Sequence, residues 1–310
     1  MDYAQHCPPR SQAYAPENTL PAFAKAKNFG CQMFEMDARL SKDGSVIVHH
    51  DEPLSRCTDV TNKFPGRASY KVSDFTLAEL KQLDAGSSYV AQLALPALQR
   101  WPYLQSLSAA EMASYISPAE RELYASGTVR IPTLVETLVL AKANGLKVNI
   151  ELKTQGASDA QLVKAVLDIV RAQDFEPFVL ISSFEHTMLR EIRQYSKTIA
   201  TAALSELPLK APIGYLRHLK ANAYNLSCYK GLSLNGFSDK EGRHYLTHIQ
   251  KILKAGFGVN IWTCNHPDEL KYLLAAGISG LISDYPNRVQ DALTAFGLTT
   301  PPSSQQNTGH

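Results

Sequence analysis

Two carboxylates stand two residues apart in Glu35-Met36-Asp37, at the end of a short apolar run. Side chains at i and i+2 of a strand share one face, so both acids converge there, in a setting that suits an oxygen-loving cation. Glu151 closes another such run, Val148-Asn149-Ile150-Glu151, and Lys153 falls on the same face as Glu151. Three carboxylates and one ammonium at adjacent strand ends can form a metal and phosphate site. Spacing alone leaves a second reading equally open, in which acids at strand ends are merely solvated or salt-bridged. His49-His50-Asp51 follows Val46-Ile47-Val48, and an imidazole beside a cation can act as general acid or base near neutral pH. Histidines of this kind are also common as structural or solvent-facing groups. Strand alternation sends the two rings to opposite faces, so only one of them can look at the cation.

Other candidates weigh less. His244 and His248 are four apart on an expected helix but lack an acidic partner motif, so they read as a surface pair. Ser182-Ser183 has no Gly-x-Ser-x-Gly turn around it, and serines between a strand and a helix are expected to be N-caps. Trp262, at the end of a late strand, either packs on a ligand at the barrel mouth or fills the core.

The elements that must carry these residues follow from periodicity. Short apolar, β-branched runs at 32–37, 147–151, 178–182, 198–203, 223–226, 258–263 and 280–283 alternate with amphipathic stretches, and a short run at 3–6 makes eight. Between them Leu162, Val163, Val166, Leu167, Ile169 and Val170 fall at helical spacing, and residues 268–276 read as a helix after Pro267. The pattern predicts an α/β fold, a (β/α)8 TIM barrel with its chemistry at the C-terminal strand ends. One run, 45–49, breaks the alternation because only Lys42-Asp43-Gly44 separates it from 38–41. An Asp-Gly turn makes a tight hairpin, so residues 39–50 are expected to form a β-hairpin arm that returns His50 over the barrel mouth. Residues 87–130 interrupt the pattern and read as a small, partly helical insertion. The polar tail 299–310 reads as disordered, leaving one barrel over 1–298.

Composition narrows the partners. A net charge of +2 gives no large field for nucleic acid or an anionic membrane. Five scattered cysteines with no CxxC pair suggest neither a disulfide framework nor a zinc site. No run of about 18 apolar residues predicts stable membrane insertion. The start, Met-Asp-Tyr-Ala-Gln-His, lacks signal-peptide features, so the expectation is a cytoplasmic protein, or an exported one if the true start lies upstream. Oligomeric state is left open.

Taken in order, several segments resemble the glycerophosphodiester phosphodiesterase family. They are Ala15-Pro16-Glu17-Asn18-Thr19-Leu20, Glu35-Met36-Asp37, Lys42-Asp43-Gly44, His50-Asp51 with Leu54, Arg56 and Thr58, and Asp74-Phe75-Thr76-Leu77. Ile131-Pro132-Thr133-Leu134, residues 149–153, Ser182-Ser183-Phe184, Val259-Asn260-Ile261-Trp262-Thr263 and Ser283-Asp284-Tyr285-Pro286 complete the set. The resemblance implies a (β/α)8 barrel in which Glu35, Asp37 and Glu151 hold Mg2+ or Ca2+, His50 is one catalytic histidine and Lys153 contacts the phosphate. It implies a small-molecule glycerophosphodiester substrate, split into an alcohol and glycerol 3-phosphate. The pattern departs at the start, where the family carries His-Arg-Gly with the histidine eight positions before the proline of Pro-Glu-Asn-Thr. Pro8 stands at that position here, within His6-Cys7-Pro8-Pro9-Arg10. Either His6 and Arg10 take the paired roles of second acid/base and phosphate clamp, or the pair is lost. A non-catalytic phosphodiester-binding barrel and a lysophospholipid-cleaving relative are therefore carried as alternatives.

Overall fold

The computed structural model describes residues 12–228, 237 and 240–298. Its organising element is β1 (Met33–Leu40), buried along its whole length because its two faces serve two layers. Phe34, Met36, Ala38 and Leu40 join the main apolar core, while Glu35, Asp37 and Arg39 take the opposite, inward face. Parallel strands β3 (Lys147–Leu152), β4 (Val179–Ser183), β5 (Ala200–Ser205), β6 (Ala223–Ser227), β7 (Gly258–Trp262) and β8 (Gly280–Leu281) follow in sheet order from β1. β2 (Val46–Val48) pairs antiparallel on the free edge of β1, with Arg39 opposite Ile47. This is the hairpin arm expected at Lys42-Asp43-Gly44, and Gly44 takes the positive φ of 79° that the turn requires.

Helices return the chain between the parallel strands. α1 (Leu20–Asn28) precedes β1. After the hairpin come α2 (Val60–Lys63), α3 (Leu77–Leu80), α4 (Ser87–Leu93), α5 (Ala109–Tyr115), α6 (Pro118–Ala125) and α7 (Leu134–Asn144). α8 (Asp159–Ala172), α9 (His186–Tyr195), α10 (Pro212–Leu219), α11 (Lys240–Lys254), α12 (Pro267–Ala275) and α13 (Pro286–Ala295) alternate with the remaining strands. The architecture is a (β/α)8 TIM barrel with a β-hairpin arm and a small insertion, of which the described residues supply seven parallel strands. The strand expected at residues 3–6 and the tail at 299–310 lie outside the described residues.

Local chemistry explains where helices begin and end. α7 starts with a capping box, Thr133 and Glu136 exchanging side-chain-to-backbone bonds, and stops at Gly145 in the left-handed conformation. The serines before α9 correct the expectation made of them. Glu185, not a serine, caps α9 by accepting from the Thr187 backbone N–H. Ser183 is still the last residue of β4, and its hydroxyl donates to the Leu152 carbonyl while accepting from the Glu185 backbone N–H. Several strand limits also move: β1 runs on to Leu40 because it pairs with the arm, and Glu176–Phe178 is a 3-10 turn that delays β4 to Val179.

The insertion packs into a cluster of its own, in which Tyr89, Leu104, Leu107 and Tyr124 meet Tyr14 and Tyr285. Gly86 lets its backbone approach the Tyr124 carbonyl so closely that any Cβ there would collide with it. Glu111 of α5 ties this cluster to α13 through Arg288, at 2.8 Å to Nε and 2.9 Å to Nη2. No described helix is long and apolar enough to cross a membrane.

Burial pushes the Glu111 carboxyl up, yet the Arg288 bonds and the Ser108 N–H more than offset it and hold the group at about 2 instead of 4.5. A depressed folded-state value contributes stability that is present above about pH 4.5 and lost as pH falls through about 2. Glu111→Gln is therefore expected to cost about 1 kcal/mol at pH 7, with the gap to the parent closing in acid. Urea midpoints measured from pH 7 down to pH 2 check this; a gap independent of pH contradicts it.

Candidate active site

The inward faces of β1 and β3 are brought into register with Glu35 opposite Asn149 and Asp37 opposite Glu151. The pairing sets Glu35, Asp37 and Glu151 so that one oxygen from each lies within 4.8 Å of the others, and they are 3 %, 0 % and 2 % exposed. Three carboxylates this close and this buried repel one another and require positive charge. Lys153, one alternation beyond Glu151, supplies part of it: Nζ lies 3.0 Å from Asp37 Oδ1 and 2.5 Å from Glu151 Oε1. Of the residues singled out in the sequence, these four are brought together.

A loop residue orients the central acid. Asn18 Nδ2 donates to Asp37 Oδ2 at 2.7 Å, and Asn18 Oδ1 accepts from the Asp37 backbone N–H at 3.2 Å. Asn18 adopts φ 53°, a left-handed conformation that asparagine tolerates better than most residues. The two requirements, a positive φ and a bidentate amide, together explain this residue type at this position.

His50 stands where the hairpin arm leaves β2. Arg39, two residues beyond Asp37 on the same inward face, donates from Nε and Nη2 to the His50 carbonyl at 3.1 and 2.8 Å. The imidazole Nδ1 meets Asp51 Oδ1 at 2.7 Å. Asp51 Oδ2 in turn accepts from Arg56 Nε at 2.5 Å, and Arg56 Nη1 and Nη2 reach Glu17 at 2.7 and 2.6 Å. Burial pushes the Asp51 carboxyl up, but the bonds from His50 and Arg56 outweigh it and hold the group well below the carboxylate range. Glu17 is also held low, because the paired Arg56 bonds exceed the cost of its burial. His49 turns the other way. It is 4 % exposed, its Nε2 sits 3.5 Å from the Pro53 carbonyl, and burial pushes its pKa down toward a neutral ring.

The far wall of the interior is amide-lined. Asn260 Nδ2 donates to Asn225 Oδ1 at 2.8 Å, and Trp262 Nε1 donates to the Asn225 carbonyl at 3.1 Å. The Trp262 indole meets Phe184 edge to face, ring centroids 5.4 Å apart, at the end of β7. His244 is exposed and His248 half-buried on α11, away from any acidic partner set among the described residues. His6 and Arg10 lie outside the described residues.

Arg39 was missed in the sequence, although alternation from Asp37 puts it on the site face. Glu17, Asn18 and Arg56 were visible only as members of recurring segments. Nothing in local pattern joins Glu17 to Arg56 across 39 positions.

A model of the glycerophosphoryl diester phosphodiesterase family matches residues 11–288. The chain belongs to this family. Its members include proteins to which this chain is similar over most of its length. One is a glycerophosphodiester phosphodiesterase of Caldanaerobacter subterraneus subsp. tengcongensis, 26 % identical, with 87 % of this chain and 89 % of that protein covered. Another, from Bacillus altitudinis, is 27 % identical, with 88 % and 91 % covered. Among solved structures, an Oleispira antarctica phosphodiesterase in complex with the product sn-glycerol-3-phosphate matches with a TM-score of 0.72 at 25 % identity, covering 94 % of this chain and 98 % of that one. A solved structure from Silicibacter pomeroyi shares the fold, with a TM-score of 0.72 at 23 % identity and 96 % and 95 % coverage.

The Asn18–Asp37 pair generates a test that needs no substrate. Asn18→Ala removes a buried bond to a charged acceptor and should cost about 1.5–3 kcal/mol. Asn18→Asp should cost more, because it places a further carboxylate against three already buried. Urea unfolding in the presence of chelator measures both, and an aspartate variant as stable as the parent contradicts this reading of the site.

Proposed function

We propose that this chain hydrolyses glycerophosphodiesters to an alcohol and glycerol 3-phosphate, with a divalent cation held by Glu35, Asp37 and Glu151. The observation that carries the reading is the buried carboxylate triad with Lys153 set against it. The donor set fits a hard cation: all three side chains offer oxygen, and one oxygen of each lies within 4.8 Å of the others. Lewis-acid stabilisation of the non-bridging phosphoryl oxygens is what a cation bound there supplies.

The chain's own groups do the rest. Lys153 places an ammonium where the phosphoryl oxygens gain charge during attack, and it can exchange a carboxylate contact for one of them. His50, with Nδ1 turned to Asp51, leaves Nε2 to protonate the departing alkoxide, a role worth about 10²–10⁴ in rate. Trp262 and Phe184 offer an apolar wall for the carbon skeleton of the substrate. His6 and Arg10 are assigned to the second proton transfer and the phosphate clamp on the sequence alone. The insertion spends most of its large apolar side chains on its own cluster, with Leu98 the main exception at 86 % exposed. That favours a deacylated, water-soluble diester over a lysophospholipid.

Incubation with glycerophosphocholine and Mg2+ or Ca2+ is expected to release glycerol 3-phosphate, and Glu35→Gln should lower turnover by at least about 10²-fold. No product with any divalent ion contradicts the proposal. Calorimetric binding of the diester without turnover identifies a binding barrel instead.

A further inference from the structure

The insertion makes a contact that barrel architecture does not require. Trp101 lies with its ring 5.3 Å from the Arg56 guanidinium, and the Tyr103 hydroxyl donates to Glu17 Oε2 at 3.2 Å. Both touch the Glu17–Arg56 pair. Arg56 itself spends three N–H groups in one plane, two on Glu17 and one on Asp51. A planar fork fixed at one edge cannot rotate, so the direction of its remaining bond is set.

We propose that Arg56, anchored by Glu17 and roofed by Trp101, is a positioning residue for proton transfer at His50. It fixes the Asp51 carboxylate in one orientation, and that carboxylate holds the His50 Nδ1–H. The ring is thereby kept in the tautomer and direction that present Nε2 to the leaving oxygen. The arrangement works as the acid of a catalytic triad works on its histidine, with one further charged link behind it. The Arg39 bonds to the His50 carbonyl hold the backbone end of the same residue, so ring and main chain are secured separately. A lysine at position 56 would bring one nitrogen in place of three and could not set the carboxylate plane. Trp101 adds a cation–π contact to the guanidinium. The insertion is on this account part of the catalytic apparatus, acting through two residues at its inner edge.

The inference rests on His50 being the group that protonates the leaving alkoxide, and the experiment separates the two claims. Turnover is measured on glycerophosphocholine, whose alkoxide needs a proton, and on a 4-nitrophenyl phosphodiester, whose phenolate leaves unprotonated. Arg56→Ala should lower kcat for the first by about 10²-fold and for the second by less than about threefold, with KM little changed. Millimolar guanidinium ion should restore part of the lost activity to Arg56→Ala, whereas Arg56→Lys should remain impaired. Trp101→Ala should show the same selectivity with a smaller loss, and it serves if Arg56→Ala does not fold. Equal losses on both substrates, or no loss on either, overturn the positioning role. If His50→Ala itself shows no selectivity between the substrates, the assignment of His50 falls and this inference falls with it. A selective His50→Ala beside an unselective Arg56→Ala overturns the inference alone.

Discussion

The register between two parallel strands is the constraint on which the rest of this molecule depends. Asp37 opposite Glu151 puts two acids side by side on the inner face, and strand alternation adds Glu35 below and Lys153 above. A slip of β1 by one residue would turn Glu35 and Asp37 toward the helices and bring Met36 inward. Among the described residues the three buried carboxylates meet Lys153, and like charges this close and this buried repel one another. Proteins retain such like-charge clusters where a cation and a developing charge use them, and the site stands at the C-terminal strand ends where barrel chemistry occurs.

Much of this was legible because it rests on short-range periodicity. The alternation in Glu35-Met36-Asp37, the Asp43-Gly44 turn and the helical spacing through Val163 and Val166 each express one local rule, and the structure follows them. What escaped depends on distant pairs or on competition between local options. Ser183 was expected to cap α9, but the Leu152 carbonyl takes its proton and Glu185 does the capping instead. Asn18 could not be read as the partner of Asp37, because its role follows from a left-handed backbone and a loop path that no pattern encodes. The Glu17–Arg56 pair, like the docking of Trp101 on it, joins segments that only the folded chain brings together.

Family membership and site geometry support each other while resting on different observations. The family match comes from the ordered sequence, over residues 11–288, and the carboxylate cluster comes from side-chain positions. At His6-Cys7-Pro8-Pro9-Arg10, outside the described residues, two prolines, which carry no backbone N–H, stand where the family pattern has a glycine.

The central claim is that the buried triad binds a divalent cation, and manganese tests it most directly because it substitutes for Mg2+ at oxygen sites and scatters anomalously. A crystal soaked in Mn2+ should show one strong anomalous peak among the carboxylates of Glu35, Asp37 and Glu151, absent from crystals of Glu151→Gln. Saturating Mn2+ that leaves the triad empty, with Lys153 still paired to Asp37 and Glu151, would contradict the account.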